Sequence, residues 1–300
     1  MSIDQISGKL ALFEQIYVPY RPHLDFHEHS KFLIELGIAT RGMPQKGLRV
    51  LAPSGSGKTS AAMALVRLIL AKYPRTPTNV PVVYVSLDRA ATAKKLMISI
   101  LEYFGDHYSY SGNEQALKKR VIRCFQSFGT LLLIIDEIQH LNYQVSVRND
   151  VSDSLKRLLD DGVVPIVFMG TDEARDLFTR NIQLSSRLLP PCDLTTLDLK
   201  SEQDRGLFGG YVKLIDQAIV SRKILPSLSG LDDPQIAECL FLMANGVVGR
   251  VSRLLAVALE LALRREAARI ERGDLATAVD RWAIPNGVCK TNPFYRGGAL

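Results

Sequence analysis

Cysteine is scarce in this chain and never paired. The four that occur, Cys124, Cys192, Cys239 and Cys289, show no C-x-x-C spacing, which argues against both a zinc site and a disulfide framework. Long apolar runs are missing as well: no stretch reaches the length of about eighteen residues needed to span a bilayer, so no membrane partner is expected. The opening MSIDQISGKL lacks the basic-then-apolar layout of a secretory signal, and the cytoplasm is the expected compartment. No internal repeat or low-complexity segment stands out. Neither sign of charge dominates: 37 Lys and Arg stand against 31 Asp and Glu, for a net +6 and a pI near 9.1. The excess is spread along the chain rather than gathered in a tail, which permits nucleic-acid binding without requiring it.

What remains is ordinary globular composition, 47% hydrophobic and 23% charged over 300 residues, enough for one large domain or two smaller ones. Within it one run is unusual: GLRVLAPSGSGKTSAAMALVRLIL, residues 47–70. The phosphate-loop pattern G-x-x-x-x-G-K-[ST] is met except that Ala52 replaces the first glycine. Leu48, Val50 and Leu51 suit a buried strand, Pro53, Ser54, Gly55, Ser56 and Gly57 a flexible loop, and the residues from Thr59 onward a helix ending near Pro74. Strand, glycine loop and helix start together present unpaired N–H groups and a positive dipole end to an anion. Lys58 adds charge to the outer phosphates of ATP, Ser60 continues the loop's contact set, and Thr59 offers a hydroxyl to Mg²⁺. Ala52 is compatible provided it keeps a negative φ.

Further along, VVYVS at 82–86 reads as a second strand, Thr92 to Phe104 and Asn113 to Phe128 as helices, and LLLIIDEIQH at 131–140 as a strand ending in two acids. VVPIVFMGT, residues 163–171, is another buried strand. Strands alternating with helices imply a parallel sheet covered on both faces. His23, His27 and His29 have no cysteine or paired acid at ligand spacing, so surface or adenine-side packing is expected of them rather than metal binding. After Pro190-Pro191 the pattern becomes wholly helical, with a long amphipathic helix over Arg250 to Ile270 and a short last one capped by Asp274. The expected division is an N-terminal arm and helix over 1–45, a nucleotide-binding domain over 46–198, a helical lid over 199–285 and a tail over 286–300.

The acids give the loop a chemistry. Asp136, at the end of a strand expected beside the phosphate-loop strand, is placed to hold Mg²⁺ through water, and Glu137 to polarise the water that attacks the γ-phosphate. Thr171 closes the next strand at the edge where open α/β sheets bind ligands; its hydroxyl suits the attacking water or γ-phosphate, and equally a helix N-cap. Arg187 in QLSSRLLP, with Arg180 as rival, suits a guanidinium reaching a neighbouring subunit's nucleotide. Arg250 in NGVVGRVSRLL suits a γ-phosphate contact from the second domain.

The order of these parts resembles the AAA+ ATPases, and within them the TniB/TnsC-type transposition regulators. The likeness rests on IYVPYRPH, LLLIIDEIQHL, VVPIVFMGT, NIQLSSRLLP and the G-x-x-G-R opening of the helical region, and covers about residues 15–285. It implies a P-loop AAA+ parallel sheet sandwiched by helices, followed by a smaller all-α lid. It also implies ATP and Mg²⁺ bound between subunits, a ring or helical filament of copies on double-stranded DNA, and recruitment of a transposase and a TniQ-like targeting protein. Disassembly would follow hydrolysis. Related ATPases line their channel from the region after the second strand, which makes Arg89, Thr92, Lys94 and Lys95 the first candidate DNA stripe. Lys118, Lys119, Arg120 and Arg123 come second. Two other readings stay open: a small-molecule phosphotransferase, which usually lacks a glutamate after the magnesium aspartate, and a nucleotide-gated scaffold with little hydrolysis.

Overall fold

The computed structural model describes residues 1–141 and 150–295. In chain order its regular elements are α1 (Ile3–Glu14), α2 (Arg21–Ala39), β1 (Gly47–Leu51), α3 (Lys58–Lys72), β2 (Val82–Ser86), α4 (Ala93–Tyr103), α5 (Glu114–Ser127), β3 (Leu132–Asp136), α6 (Asp150–Asp160), β4 (Ile166–Gly170), α7 (Arg175–Arg180), α8 (Ile182–Ser185), α9 (Glu202–Ser221), α10 (Pro234–Ala244), α11 (Val248–Arg264) and α12 (Arg272–Ala278). Single 3-10 turns occupy Ile138–His140 and Asp172–Ala174. The chain divides into two compact units. One is Pro22–Ser54 with Lys58–Leu194; the other is Met1–Arg21 and Gly55–Gly57 with the chain from Thr195 onward.

The first of these is the sheet unit. Its four strands are parallel in the order β1-β4-β3-β2. The acid-bearing β3 therefore does not lie beside β1, as expected from the sequence; β4 stands between them. An unbroken apolar run reports burial on both faces but not which strand is the neighbour. Every residue of β3 and of β4 is buried, which fits their central places. Successive side chains point to opposite faces. Leu48, Val50, Ile134, Val167 and Met169 pack with Phe26 and Leu33 of α2 and Ala61 and Leu65 of α3. Val83, Val85, Leu133, Ile135 and Phe168 pack with Leu96, Met97 and Ile100 of α4, Val121 and Phe125 of α5, and Leu155 of α6. The free edge of β1 is covered by the stretch after α8. Gly47 donates to the Arg187 carbonyl, and the N–H groups of Leu189, Cys192 and Leu194 bond the carbonyls of Gly47, Arg49 and Leu51. Pro190 and Pro191 interrupt this ladder because neither has an N–H to give.

Helix α2 takes up nineteen residues, Arg21–Ala39, of the stretch 1–45 where an arm and a helix are expected. Pro22 sits in its first turn, where a missing N–H costs nothing. On its inner face His23 and His27 are buried, at 4% and 2% exposure. The His27 Nε2 lies 2.8 Å from the Ala61 carbonyl of α3. Burial, with a smaller push from Lys31, holds the His27 imidazole below its ordinary pKa, even against the carbonyl contact. The folded chain thus resists protonation where the unfolded chain accepts it, near pH 6.5. Stability is present above that pH and is lost as pH falls toward the folded-state value. Urea unfolding at pH 7.5 and 5.5 should therefore show a falling midpoint, and His27→Gln should reduce the difference; an equal fall in both proteins would remove His27 as the cause.

The second unit has a helical core. Ile6 and Phe13 of α1 pack with Phe208, Val212 and Ile215 of α9 and Val251, Leu255 and Ala258 of α11. α1 was not expected, since only those two of its residues are buried and its apolar stripe is faint. Its start does carry a readable signal: Ser2 and Gln5 form a capping box, each side chain accepting the other's backbone N–H. Helix α11 stops at Arg264, short of Ile270. There Glu266 takes φ +57°, and the N–H groups of Glu266 and Ala267 return to the carbonyls of Leu263 and Ala262. This closure satisfies the helix's last carbonyls, and a periodicity count does not see it because no glycine marks the place. Asp274 is not the cap of α12 but its third residue; its carboxylate accepts the N–H of Glu271, which is the cap. The tail was expected over 286–300, and its residues 296–300 lie outside the described residues.

Candidate nucleotide site

The loop from Ala52 to Gly57 has the backbone its sequence asks for. Gly55 and Gly57 take φ of +83° and +85°, which only glycine adopts without strain. Ala52 is not among the positive-φ residues; it is buried, and its N–H bonds the Gly170 carbonyl at 3.0 Å. The alanine thus occupies a position where glycine's freedom is not used. Pro53 and Ser54 lead into the turn, Ser56 is buried, and Ser60 is exposed on the first turn of α3. Lys58 opens α3, whose first N–H groups have no partner within the helix.

Strands β1, β3 and β4 all end at this loop's side of the sheet, as parallel pairing requires. Asp136, the last residue of β3, is 1% exposed and fully engaged. Its Oδ1 accepts the Glu137 N–H at 2.8 Å; its Oδ2 accepts the Thr59 hydroxyl at 3.2 Å and the Tyr84 hydroxyl at 2.7 Å. Thr59 and Asp136, 77 residues apart, meet directly. A hydroxyl and a carboxylate are hard oxygen donors of the kind Mg²⁺ prefers, so these two residues fit that ion. Burial and the Asp136 carboxylate push the Tyr84 phenol well above its ordinary pKa, so it stays a neutral donor.

Glu137 follows with φ +57°, a left-handed conformation that turns its side chain sharply off the strand. One carboxylate oxygen lies 3.7 Å from the Lys58 Nζ, and Lys58 is only 7% exposed. The other accepts the Gln139 amide N–H. The Gln139 amide oxygen in turn accepts the Thr171 N–H at 3.0 Å. The Thr171 hydroxyl is buried without a hydrogen-bond partner among the described residues, and it does not cap the 3-10 turn that follows. Lys58, Thr59, Asp136, Glu137 and Thr171 are thus connected, directly or through Gln139. Tyr84 and Gln139 are the two members that sequence reasoning did not name. Gln139 is a polar side chain just past a strand end, which is the signal that was available; Tyr84 lies mid-strand in β2 and carries no such mark.

Two of the candidate arginines are held by acids of the sheet unit. Arg187 grips the Asp160 carboxylate with Nε and, at 3.1 Å, Nη2, while Nη1 bonds the Gln183 carbonyl at 2.6 Å. Arg180 is exposed and pairs with Asp176 one turn away. In the helical unit Arg250 bonds the Ala244 carbonyl at 3.2 Å. That unit includes Gly55–Gly57, and a Cβ on Gly249 would lie 2.1 Å from the Gly55 carbonyl oxygen. The G-x-x-G-R motif is therefore spaced by steric need. A Cβ on Gly246, which has φ +70°, would likewise strike the Leu197 carbonyl at 2.1 Å.

The two basic stripes differ in how occupied they are. Lys118 pairs with Asp161 at 2.7 Å, and Arg120 is spent on Asp106 and on the carbonyls of Tyr108 and Ser111. Arg89, Lys94 and Lys95 are exposed, and no ion pair holds their side chains among the described residues. Thr92 caps α4, its hydroxyl accepting the Lys95 N–H at 3.2 Å.

The family model described as Bacterial TniB protein matches residues 31–194, more than half of the chain. The chain belongs to the TniB family. No curated protein matches it. Among solved structures, the TniB-family chain is similar to the ORC2 protein of Aeropyrum pernix in its ADPNP-ADP complexes, with TM-score 0.67 and 15% identity over 90% of this chain and 71% of that one. It is also similar to the Aeropyrum pernix ORC1 protein, solved in complex with DNA, with TM-score 0.63 and 18% identity over 91% and 69%. Cdc6p of Pyrobaculum aerophilum gives TM-score 0.62 and 15% identity over 90% and 70%. At such identities the likeness shows the fold, and the fold is that of the AAA+ ATPases: a parallel sheet between helices, followed by a helical region.

Proposed function

We propose that this TniB-family chain is an ATPase that binds duplex DNA and regulates transposition. In this reading copies assemble on target DNA with ATP and Mg²⁺ held at the joints, recruit a transposase and a TniQ-like targeting protein, and come apart when ATP is hydrolysed. The observation that carries it is the meeting of Lys58, Thr59, Asp136, Glu137 and the unpartnered Thr171 hydroxyl at one end of the sheet. Mg²⁺ supplies charge neutralisation at the β- and γ-phosphates when bound. Lys58 holds the outer phosphates, Thr59 and Asp136 hold the ion, Glu137 takes a proton from the attacking water, and Thr171 contacts the γ-phosphate. Arg250 is assigned to the γ-phosphate from the helical unit. Arg187 is assigned to a neighbouring copy's nucleotide, a role that requires it to exchange Asp160 for phosphate. The glutamate beside Asp136 favours water over a small-molecule acceptor, which weighs against a phosphotransferase.

DNA binding is assigned to Arg89, Thr92, Lys94 and Lys95, because the cations among them make no ion pair among the described residues. Contacts from such a stripe fall on phosphates, carry little base preference and weaken steeply with salt. The test images the protein by negative stain with duplex DNA and a non-hydrolysable ATP analogue. Ordered coats are expected from the wild type. Lys94→Ala with Lys95→Ala should bind unrelated duplexes more weakly, with a salt slope smaller by about 1 to 2. Monodisperse monomers on bare DNA would overturn the assembly reading; an unchanged salt titration would remove this stripe from it.

A further inference from the structure

Gln139 touches both Glu137 and Thr171, the residue that follows β4. Its amide N–H donates to the Glu137 carboxylate, and its amide oxygen accepts the Thr171 N–H at 3.0 Å. The two ends are not interchangeable: a carboxylate only accepts and a backbone N–H only donates, so the amide can sit only one way round. The strand beneath is cut to fit. A Cβ on Gly170, the residue before Thr171, would lie 2.7 Å from the Gln139 amide oxygen and 2.7 Å from the Ile138 side chain. Glu137 itself is turned into this contact by its left-handed backbone. Its carboxylate lies among Lys58 at 3.7 Å, His140 at 3.9 Å and the Gln139 amide.

We infer that Gln139 is a positioning residue that couples Thr171 to Glu137, so that the γ-phosphate, on engaging the free Thr171 hydroxyl, sets where the Glu137 carboxylate points. This rests on the hydrolytic reading above. Nucleotide draws Lys58 toward phosphate and releases one side of Glu137; the Gln139 amide then fixes the other side. The carboxylate keeps a defined direction at the moment it must face water. A side chain without the amide removes that hydrogen bond and leaves the carboxylate only the longer contacts to Lys58, at 3.7 Å, and His140, at 3.9 Å. A misplacement of about 1 Å in a reacting group costs about 100-fold in rate.

The experiment compares wild type, Gln139→Leu, Gln139→Glu and Glu137→Gln by steady-state phosphate release with saturating duplex DNA, alongside fluorescent-nucleotide titrations. Gln139→Leu should lower kcat by about 10- to 100-fold with nucleotide Kd within about twofold. Gln139→Glu still accepts from Thr171 but sets a second carboxylate against Glu137. That repulsion turns the Glu137 carboxylate away, so Gln139→Glu should not restore kcat, again with nucleotide Kd within about twofold. A purely structural role for Gln139 would lower melting temperature and nucleotide affinity together with kcat, and this result overturns the coupling. Wild-type kcat in Gln139→Leu overturns it too, while Glu137→Gln, losing turnover in the same assay, leaves the hydrolytic reading standing. If Glu137→Gln matches wild type, the hydrolytic reading and the coupling fall together.

Discussion

Glu137→Gln should cut ATP turnover by about 100- to 10,000-fold while ATP affinity stays within about twofold of wild type. The substitution keeps the length and shape of the side chain. Its amide oxygen can still accept the Gln139 N–H, so the local hydrogen bonding survives. What disappears is the basicity that takes a proton from water and the negative charge facing Lys58. The loss falls on the chemical step. Freed of its carboxylate partner, Lys58 has more charge to offer phosphate, so binding has no reason to weaken. Phosphate release and a fluorescent-nucleotide titration check both halves. In the same protein any ATP-dependent coat on DNA should outlast the wild-type coat after excess EDTA or competitor DNA is added. Unchanged turnover would mean that the chain is a nucleotide-gated scaffold whose acids do no chemistry.

Lys58→Ala should weaken ATP binding by about 2–5 kcal/mol, or about 30- to 5,000-fold in Kd. Lys58 is nearly buried at the start of α3, directly after the positive-φ Gly57, so its ammonium has one direction to point and one partner to lose. In the free protein that partner is Glu137; with nucleotide it is the outer phosphates. Removing the cation leaves a carboxylate facing the triphosphate with nothing between them. This is why the loss should exceed that of a surface lysine, where a charge pair is worth about 1 kcal/mol or less. Competition titration with ATP and ADP is the direct measurement. ADP should suffer less than ATP, since fewer negative charges face the gap. A Kd within threefold of wild type would mean that the loop does not hold the phosphates.

Much of this site was legible before any coordinates. Gly55, Gly57, Lys58 and Thr59 are named by a pattern whose backbone demands are local, and the structure meets those demands at each position. Ala52 shows the limit of pattern matching in the other direction, because a departure from the pattern costs nothing where φ stays negative. The caps at Thr92 and Asn113 were readable for the same reason, since a cap bonds an N–H three residues away. What the sequence could not show is which distant partner each side chain meets. Arg187 reads as a free projecting guanidinium until Asp160, 27 residues earlier, is seen to hold it. Arg120 reads as one cation of a stripe until it is seen tying down the loop before α5. Thr171 reads equally well as cap or contact, and only the geometry shows that its hydroxyl makes no cap bond.

The sequence by itself determined the kind of machine this is: a phosphate loop, an acid pair at a strand end, and an alternation of strands and helices. Each follows from chain-local chemistry, namely glycine's access to positive φ, the period of apolar residues and the orphan N–H groups at a helix start. Tertiary structure alone decided that β4 separates β1 from β3, that Tyr84 steadies Asp136 from 52 residues away, and that Gln139 joins Glu137 to Thr171. Strand order and side-chain encounters across the sheet depend on which apolar faces close on one another. That choice belongs to the packed core as a whole, and no short stretch of the chain carries it.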